Sequence, residues 1–431
     1  MHPPKGPSLS LEVVGRDQPR LVLRRSVGRE EVEVSIELAQ GGIQRARRGA
    51  QAAVDGLRRS LQLTLEQPAD DWDGVERGLR ELYVRGTAML HQLFRDPDLI
   101  RFINTLHDFL PGLNGTASGL PDIQFIADAD TVLPIELLPA LMMAKDRRPI
   151  KDYLTLEESA SRFLGFSANI RRHIRGGIVP HPPLAQIMDS WVSAIPNARG
   201  FAVEVFQNAA LGSVSTEVGN LQRYGEPHIF VLGPWPGSED RESDSAEIIE
   251  KILCEHPERP GEFWPHVLHF ACHCRVSQDP TEITLLLQGG QSTSCVEVRL
   301  VEMESQSAII VSRSPLGGVP TPRLPLVFLN ACSSAESEPL TGASLPEFFL
   351  RKGYLGFIGT ETAIPDVVAA EISSKFYDNF LSGRSLGESI WLSKWSLLRR
   401  YRNPLGLLYT TYADGDLYVE HALEGNLDHD S

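Results

Sequence analysis

The chain opens with a period-two pattern. Leu9, Leu11 and Val13 alternate with polar residues, as do Val32, Val34 and Ile36, on either side of an apolar Leu21-Val22-Leu23. Alternation of this kind puts the apolar side chains on one face of a strand. Gly15-Arg16-Asp17 and Gly28 supply turns, so residues 9–39 predict a small antiparallel set of strands. The period then becomes helical at about 43–64, 73–94 and 98–109, and a Gly/Pro/Ser-rich stretch at 111–120 marks a boundary.

Beyond it, short apolar runs alternate with helical patterns. Strands are expected at Ile123–Ala127, Ala202–Phe206, His228–Leu232, Glu282–Leu287, Ala308–Val311, Gly356–Gly359 and Leu417–Val419. Helices are expected at Leu133–Met143, Ser245–Cys254, 367–381 and 386–400. Alternating strands and helices imply an α/β fold, a mostly parallel sheet covered by helices on both faces. The expected organisation is an N-terminal strand and helix appendage over 1–65, a helical linker region over 66–120 packing on the main domain, and that domain over 121–431. No tandem repeat of 20–50 residues is present.

Composition narrows the partners. The 431 residues carry a formal charge of −15, with 42% hydrophobic and 23% charged residues. An acidic balance argues against nucleic acid, because phosphate contacts need clustered Lys and Arg. The one Arg-rich stretch, Ile170-Arg171-Arg172-His173-Ile174-Arg175, reads as a solvated helix face. Five cysteines, an odd number unevenly spaced, do not make a disulfide framework and suit a reducing cytoplasm. Met1-His2-Pro3-Pro4-Lys5-Gly6 has no apolar leader core, and no run approaches the roughly 18 apolar residues of a membrane span.

The chemistry collects at two strand ends about sixty residues apart. His266-Val267-Leu268-His269-Phe270-Ala271-Cys272-His273-Cys274 is one, and Pro325-Leu326-Val327-Phe328-Leu329-Asn330-Ala331-Cys332-Ser333-Ser334 is the other. Open α/β sheets carry function at the carboxyl ends of their strands. Two neighbouring strands would deliver His273 and Cys332 to one edge, and an imidazole beside a thiol is the minimum equipment for a cysteine nucleophile. On the strand, Cys272 and Cys274 point opposite to His273 and read as core thiols, and His266 and His269 as packing residues. The Cys272-His273-Cys274 spacing does not suit a closed zinc site and has no second ligand pair, so no metal or cofactor is expected.

These runs resemble the CHAT family, caspase-like cysteine peptidases of the separase, metacaspase and caspase clan. The resemblance rests on His269-Phe270-Ala271-Cys272-His273 followed by Leu329-Asn330-Ala331-Cys332-Ser333-Ser334, and on further marks in the family's order. These are Leu133-Pro134-Ile135-Glu136-Leu137-Leu138, Gly353-Tyr354-Leu355-Gly356-Phe357-Ile358-Gly359-Thr360, Ser374-Lys375-Phe376-Tyr377, and Asn403-Pro404-Leu405-Gly406-Leu407-Leu408-Tyr409. It spans roughly residues 70–420.

The resemblance implies a caspase-type sheet with His273 and Cys332 as the catalytic pair. Cys332 would attack a peptide carbonyl as thiolate, and His273 would protonate the leaving amine and then activate water. The backbone amides of Cys274 and Cys332 would hold the oxyanion, at roughly 2.7–4 kcal/mol per donor. The family has Gly after the catalytic His, where this chain has Cys274, a side chain that crowds an oxyanion hole. Asp366 stands where separase-like members carry an acid for a basic substrate residue; the other reading is that it caps the helix starting at Val367. Glu361, Asp128 and Asp130 are further candidates for that pocket, and Glu136 has a structural reading.

The implied function is a cytoplasmic endopeptidase that cleaves a specific protein partner in a bacterial defence or regulated cell-death pathway. The alternative is a catalytically weak pseudo-enzyme serving as a protein-binding adaptor. No sensor module is visible, so activation by a partner protein or by self-association is expected, docking on the first 65 residues and the helices at 73–109. No nucleic acid or membrane is expected to bind.

Overall fold

The computed structural model describes residues 9–15, 17–27, 30–61, 72–110, 120–140, 149–175, 194–195, 201–224, 229–237, 244–253, 265–276, 283–290, 294–313, 324–331, 344–360 and 364–419. In chain order the strands and helices begin with β1 (Leu9–Val14), β2 (Arg20–Val27), β3 (Glu30–Glu37), α1 (Gly42–Leu61), α2 (Trp72–Leu93), α3 (Asp96–Phe109) and β4 (Asp122–Asp128). They continue with α4 (Tyr153–Ala160), the single turn α5 (Leu164–Ser167), β5 (Asn169–Arg175), β6 (Ala194–Ile195), β7 (Phe201–Gln207), α6 (Val214–Gln222), β8 (Ile229–Trp235) and α7 (Ser245–Ile252). Then come β9 (Val267–Val276), β10 (Ile283–Leu287), β11 (Val296–Arg299), α8 (Leu300–Arg313), β12 (Leu324–Ala331), α9 (Ser344–Arg351) and β13 (Tyr354–Thr360). Last are α10 (Asp366–Leu381), α11 (Leu386–Tyr401), β14 (Tyr409–Ala413) and β15 (Tyr418–Val419).

These elements form two compact units. The first comprises residues 1–176 and 385–416, the second 177–384 and 417–431. In the first, β1, β2 and β3 make the antiparallel set that the alternation predicts. They do not stand apart, however. β1 also pairs in parallel with β4, which pairs in parallel with β5, giving the order β3-β2-β1-β4-β5. The boundaries expected near residues 65 and 120 therefore fall inside one unit. The reason is physical: β1 is a central strand whose second edge needs a partner, and that partner lies more than a hundred residues on, where local pattern gives no sign of it.

Two expected elements take other forms. Leu133–Met143 is not helical over its described part. Ile135–Leu137 is a short 3-10 turn, and Pro139 bridges to Phe163; residues 141–148 lie outside the described residues. A proline at 139 removes a backbone donor and clashes with the preceding turn, so a helix opened by Pro134 cannot run on. Ala308–Val311 belongs to α8 rather than a strand. Its frame is set upstream by Leu300, Met303 and Ser307, buried at helical spacing.

The Arg-rich stretch is likewise not a solvated helix face but strand β5. Arg171 and Arg172 are buried there. Arg171 lies 3.2 Å from Asp122, 2.7 Å from Asp414 and 3.7 Å from Asp416. Arg172 pairs with Glu136 and donates to the Tyr412 hydroxyl at 3.0 Å. Glu136 is 1% exposed, and the structural role read for it holds. Lys394 of α11 adds a second buried cation near this pair, and burial pushes its ammonium down to about 8.

The second unit is built on a parallel sheet, with β8, β7, β9, β12 and β13 side by side in that order. Its strands are mostly apolar, and β7 is buried along its whole length, as a sheet flanked by helices requires. No described helix is long and apolar enough to cross a membrane.

Candidate functional site

The candidate site lies at the carboxyl edge of this sheet. β9 is paired on both sides over its first half. Val267–Cys272 match Leu326–Ala331 of β12, ending at Ala331↔Cys272, and Val267–Ala271 match Val203–Gln207 of β7. Among the described residues, His273 is the first position past both sets of parallel partners. The strand does not stop there, as its sequence suggests, but runs to Val276 as one arm of a hairpin, with Leu286↔His273 and Leu285↔Cys274. The imidazole thus sits where a parallel sheet gives way to an antiparallel ribbon.

His273 is half-buried, between buried Cys272 and Cys274. That is the alternation the pleat dictates. Burial pushes the Cys274 thiol up to about 12, so it stays protonated at neutral pH and packs as a small apolar group. Cys295 is exposed. Cys332 lies outside the described residues; it is the residue next in the chain to Ala331, the strand partner of Cys272. Glu361 also lies outside them. Among the described residues no group of His, Cys, Asp and Glu has the makings of a metal site.

The hairpin is anchored at its root. Asn208, just past β7 and buried, donates its backbone N–H to Ala271 O (2.8 Å) and its side-chain amide to Leu286 O (3.0 Å). Gln288 N donates to Gln207 O at 3.0 Å, and Ala209 N to Gln288 O at 2.9 Å. A Cβ on Gly289 would lie 2.4 Å from Gly237 O, so this crossing of two loops admits only glycine. These contacts hold Leu286, and with it the stretch of ribbon opposite His273.

Asp366 is the first residue of α10. One carboxylate oxygen accepts from its neighbour Val367 N (2.9 Å), the other from Ser213 N in the loop that follows β7 (3.1 Å). A carboxylate at a helix N-terminus is favourable in itself, and here both oxygens are engaged by backbone. Asp128 and Asp130 belong to the other unit. Asp128 lies 3.3 Å from Arg175, and Asp130 is exposed.

Beneath the site is a polar cluster whose acid, Glu217, lies outside the motifs that hold its partners. Glu217 of α6, 2% exposed, accepts from His269 Nε2 of β9 (2.9 Å) and from Asn330 Nδ2 of β12 on the same oxygen. Asn330 also donates to Ala369 O (2.8 Å), and the Tyr377 hydroxyl lies 3.2 Å from His269 Nδ1. Burial, and then the nearby Glu217 charge, push the Tyr377 phenol well up. His269 therefore does more than pack. The sequence held one faint signal for Glu217: an acid among Val214, Val218 and Leu221, on the apolar stripe of its helix.

Several known proteins are similar to this chain. A segment of 97 residues, 22% of this chain, is 40% identical to a probable protease of Vitiosangium sp. (strain GDMCC 1.1324), and spans 13% of that relative's length. Two solved structures of the Saccharomyces cerevisiae separase–securin complex, at 2.6 and 3.0 Å, overlap 96% of this chain and 30% of theirs. Their identities are 9% and 10%, and their TM-scores 0.45 and 0.47. Residues 90–403, well over half of the sequence, match the CHAT domain, and the chain belongs to that family.

Proposed function

We propose that the chain is a cysteine endopeptidase in which His273 and Cys332 form the catalytic dyad. The observation that carries this is the register Ala331↔Cys272 between adjacent parallel strands. It makes His273 and Cys332 the next residues along the two strands after that pair. Membership of the CHAT family and the similarity to a probable protease support the same reading. Cys332 attacks the scissile carbonyl as thiolate, His273 protonates the leaving amine, and the backbone amides of Cys274 and Cys332 receive the oxyanion. The substrate is a specific protein, cut in the cytoplasm in a bacterial defence or cell-death response after a partner or self-association triggers it. A basic residue before the cut would meet Asp366 only in competition with the two backbone amides that acid already accepts.

The experiment is covalent labelling of the full chain with an arginyl chloromethyl ketone, read by peptide mass spectrometry. The expected adduct is on Cys332 and is lost in His273→Ala. An adduct on exposed Cys295 alone, or none with or without a partner, overturns the proposal. It would favour the second reading, a binding adaptor, which the buried Cys274 in place of the family's glycine supports.

A further inference from the structure

We infer that Glu217 is a positioning residue for the dyad, acting through the two strands that carry it; this rests on the reading just given. One carboxylate oxygen of Glu217 is shared by β9 and β12. It receives His269 Nε2 at 2.9 Å from one strand and Asn330 Nδ2 from the other. The two donors are not opposite each other: His269 is level with Phe328, and Asn330 with Ala271. The oxygen thus bridges a diagonal, and sliding either strand along the other stretches one of its bonds. The remaining contacts brace the bridge from behind. Asn330 is held by Ala369 O of α10, and His269 by the Tyr377 hydroxyl of the same helix.

The distances to the chemistry are short. His269 precedes His273 by four strand residues, about 13 Å, and the alternation puts both on one face. Asn330 precedes Cys332 by two residues in the chain. A misplacement of about 1 Å between reacting groups costs on the order of a hundredfold in rate. All four members of the cluster are at most 2% exposed. Burying a carboxylate is expensive, and well-packed apolar residues would join these elements at lower cost, so retention of the acid fits a role in register.

The test uses iodoacetamide, a probe that needs no knowledge of the substrate, with the alkylation rate of Cys332 followed from pH 5 to 10 by mass spectrometry of the full chain. Four proteins are compared: the parent, His273→Ala, Glu217→Gln and Tyr224→Phe. Glu217→Gln keeps shape and acceptor but removes the charge that strengthens both bonds. Tyr224→Phe is the control. Its hydroxyl bonds Asp378, so it likewise joins the α6 segment to α10, through a bond that involves neither β9 nor β12. Glu217→Gln should slow alkylation at neutral pH about tenfold. It should also move the midpoint of the pH profile up toward the free-thiol value of about 8.5. Tyr224→Phe should lower the melting temperature and leave rate and midpoint alone.

A Glu217→Gln profile that superimposes on the parent's overturns the inference. So does a Tyr224→Phe variant that shifts the midpoint equally, since any loss of stability would then suffice. If His273→Ala itself leaves the Cys332 profile unchanged, there is no dyad to position, and both readings fall together.

Discussion

In the first unit a buried carboxylate, Glu136, faces two cations, Arg172 and Lys394. In the second a buried carboxylate, Glu217, faces an imidazole and an amide, with a phenol one step further on. Both acids are almost wholly buried. They differ in how charge is balanced. The first cluster holds more positive than negative groups, and burial, against the pull of Glu136, leaves its lysine giving up its proton easily. The second satisfies its acid with hydrogen-bond donors, and the elements it joins are the strands leading to the candidate dyad. The lesson is that burial of an acid does not by itself mark function. What distinguishes the two is which backbone segments the acid ties together.

That difference can be broken by substitution. The largest effect is expected at Glu136. Glu136→Gln leaves Arg172 buried without its counter-charge, at a cost of about 3–5 kcal/mol in urea unfolding. A loss below about 1 kcal/mol would mean that the pair is not held as described. Lys394→Met tests the surplus cation. The folded lysine is held at about 8 against 10.5 for the free group, so between those values the unfolded chain binds more protons and stability rises with pH. The advantage of the Met variant over the parent should therefore shrink by about 3 kcal/mol from pH 8 to pH 10.5. A constant difference would count against the buried charge.

A third cluster sharpens the comparison, because it is the mirror image of the first: Arg171 with three carboxylates, Asp122, Asp414 and Asp416. Burial raises Asp122 to about 6, against the pull of Arg171. The folded chain then binds more protons between about 4 and 6, and stability falls as pH rises through that window. Asp122→Asn should gain on the parent by about 2 kcal/mol from pH 4 to pH 6, less than the full shift because the carboxylate keeps some water. A difference that moves the other way would show the Arg171 attraction to dominate. The smallest effect is expected at Cys274. Cys274→Gly costs about 1–2 kcal/mol, from a small cavity and a freer strand. If the Cβ crowds the oxyanion hole, the glycine variant labels Cys332 faster with the chloromethyl ketone; slower labelling would argue that it does not.

Much of this was legible in the chain. The alternation at Leu9–Val13 and Val32–Ile36 marks β1 and β3, and the helical period at 73–94 and 98–109 marks α2 and α3. Both patterns arise because one face of each element is buried, which is a local property. The strand leading to His273 was legible as an apolar run, and its neighbour in the same way. Glu217 was not, because its helix is short and polar and its meaning depends on partners 52 and 113 residues away. The Arg-rich strand β5 was misread for the same reason. Its charges look solvated until acids from distant segments are brought to meet them.

Periodicity and turn residues by themselves determined the α/β character of this protein, most of its elements, and the two apolar runs that end near an imidazole and a thiol. Only the tertiary structure decided which strands are neighbours, that β1–β3 share a sheet with β4 and β5, and that one carboxylate spans β9 and β12. The division follows from the forces involved. Burial of one face leaves its period in every few residues, whereas strand order and buried charge pairs are settled between segments far apart in the chain, and no local pattern records them.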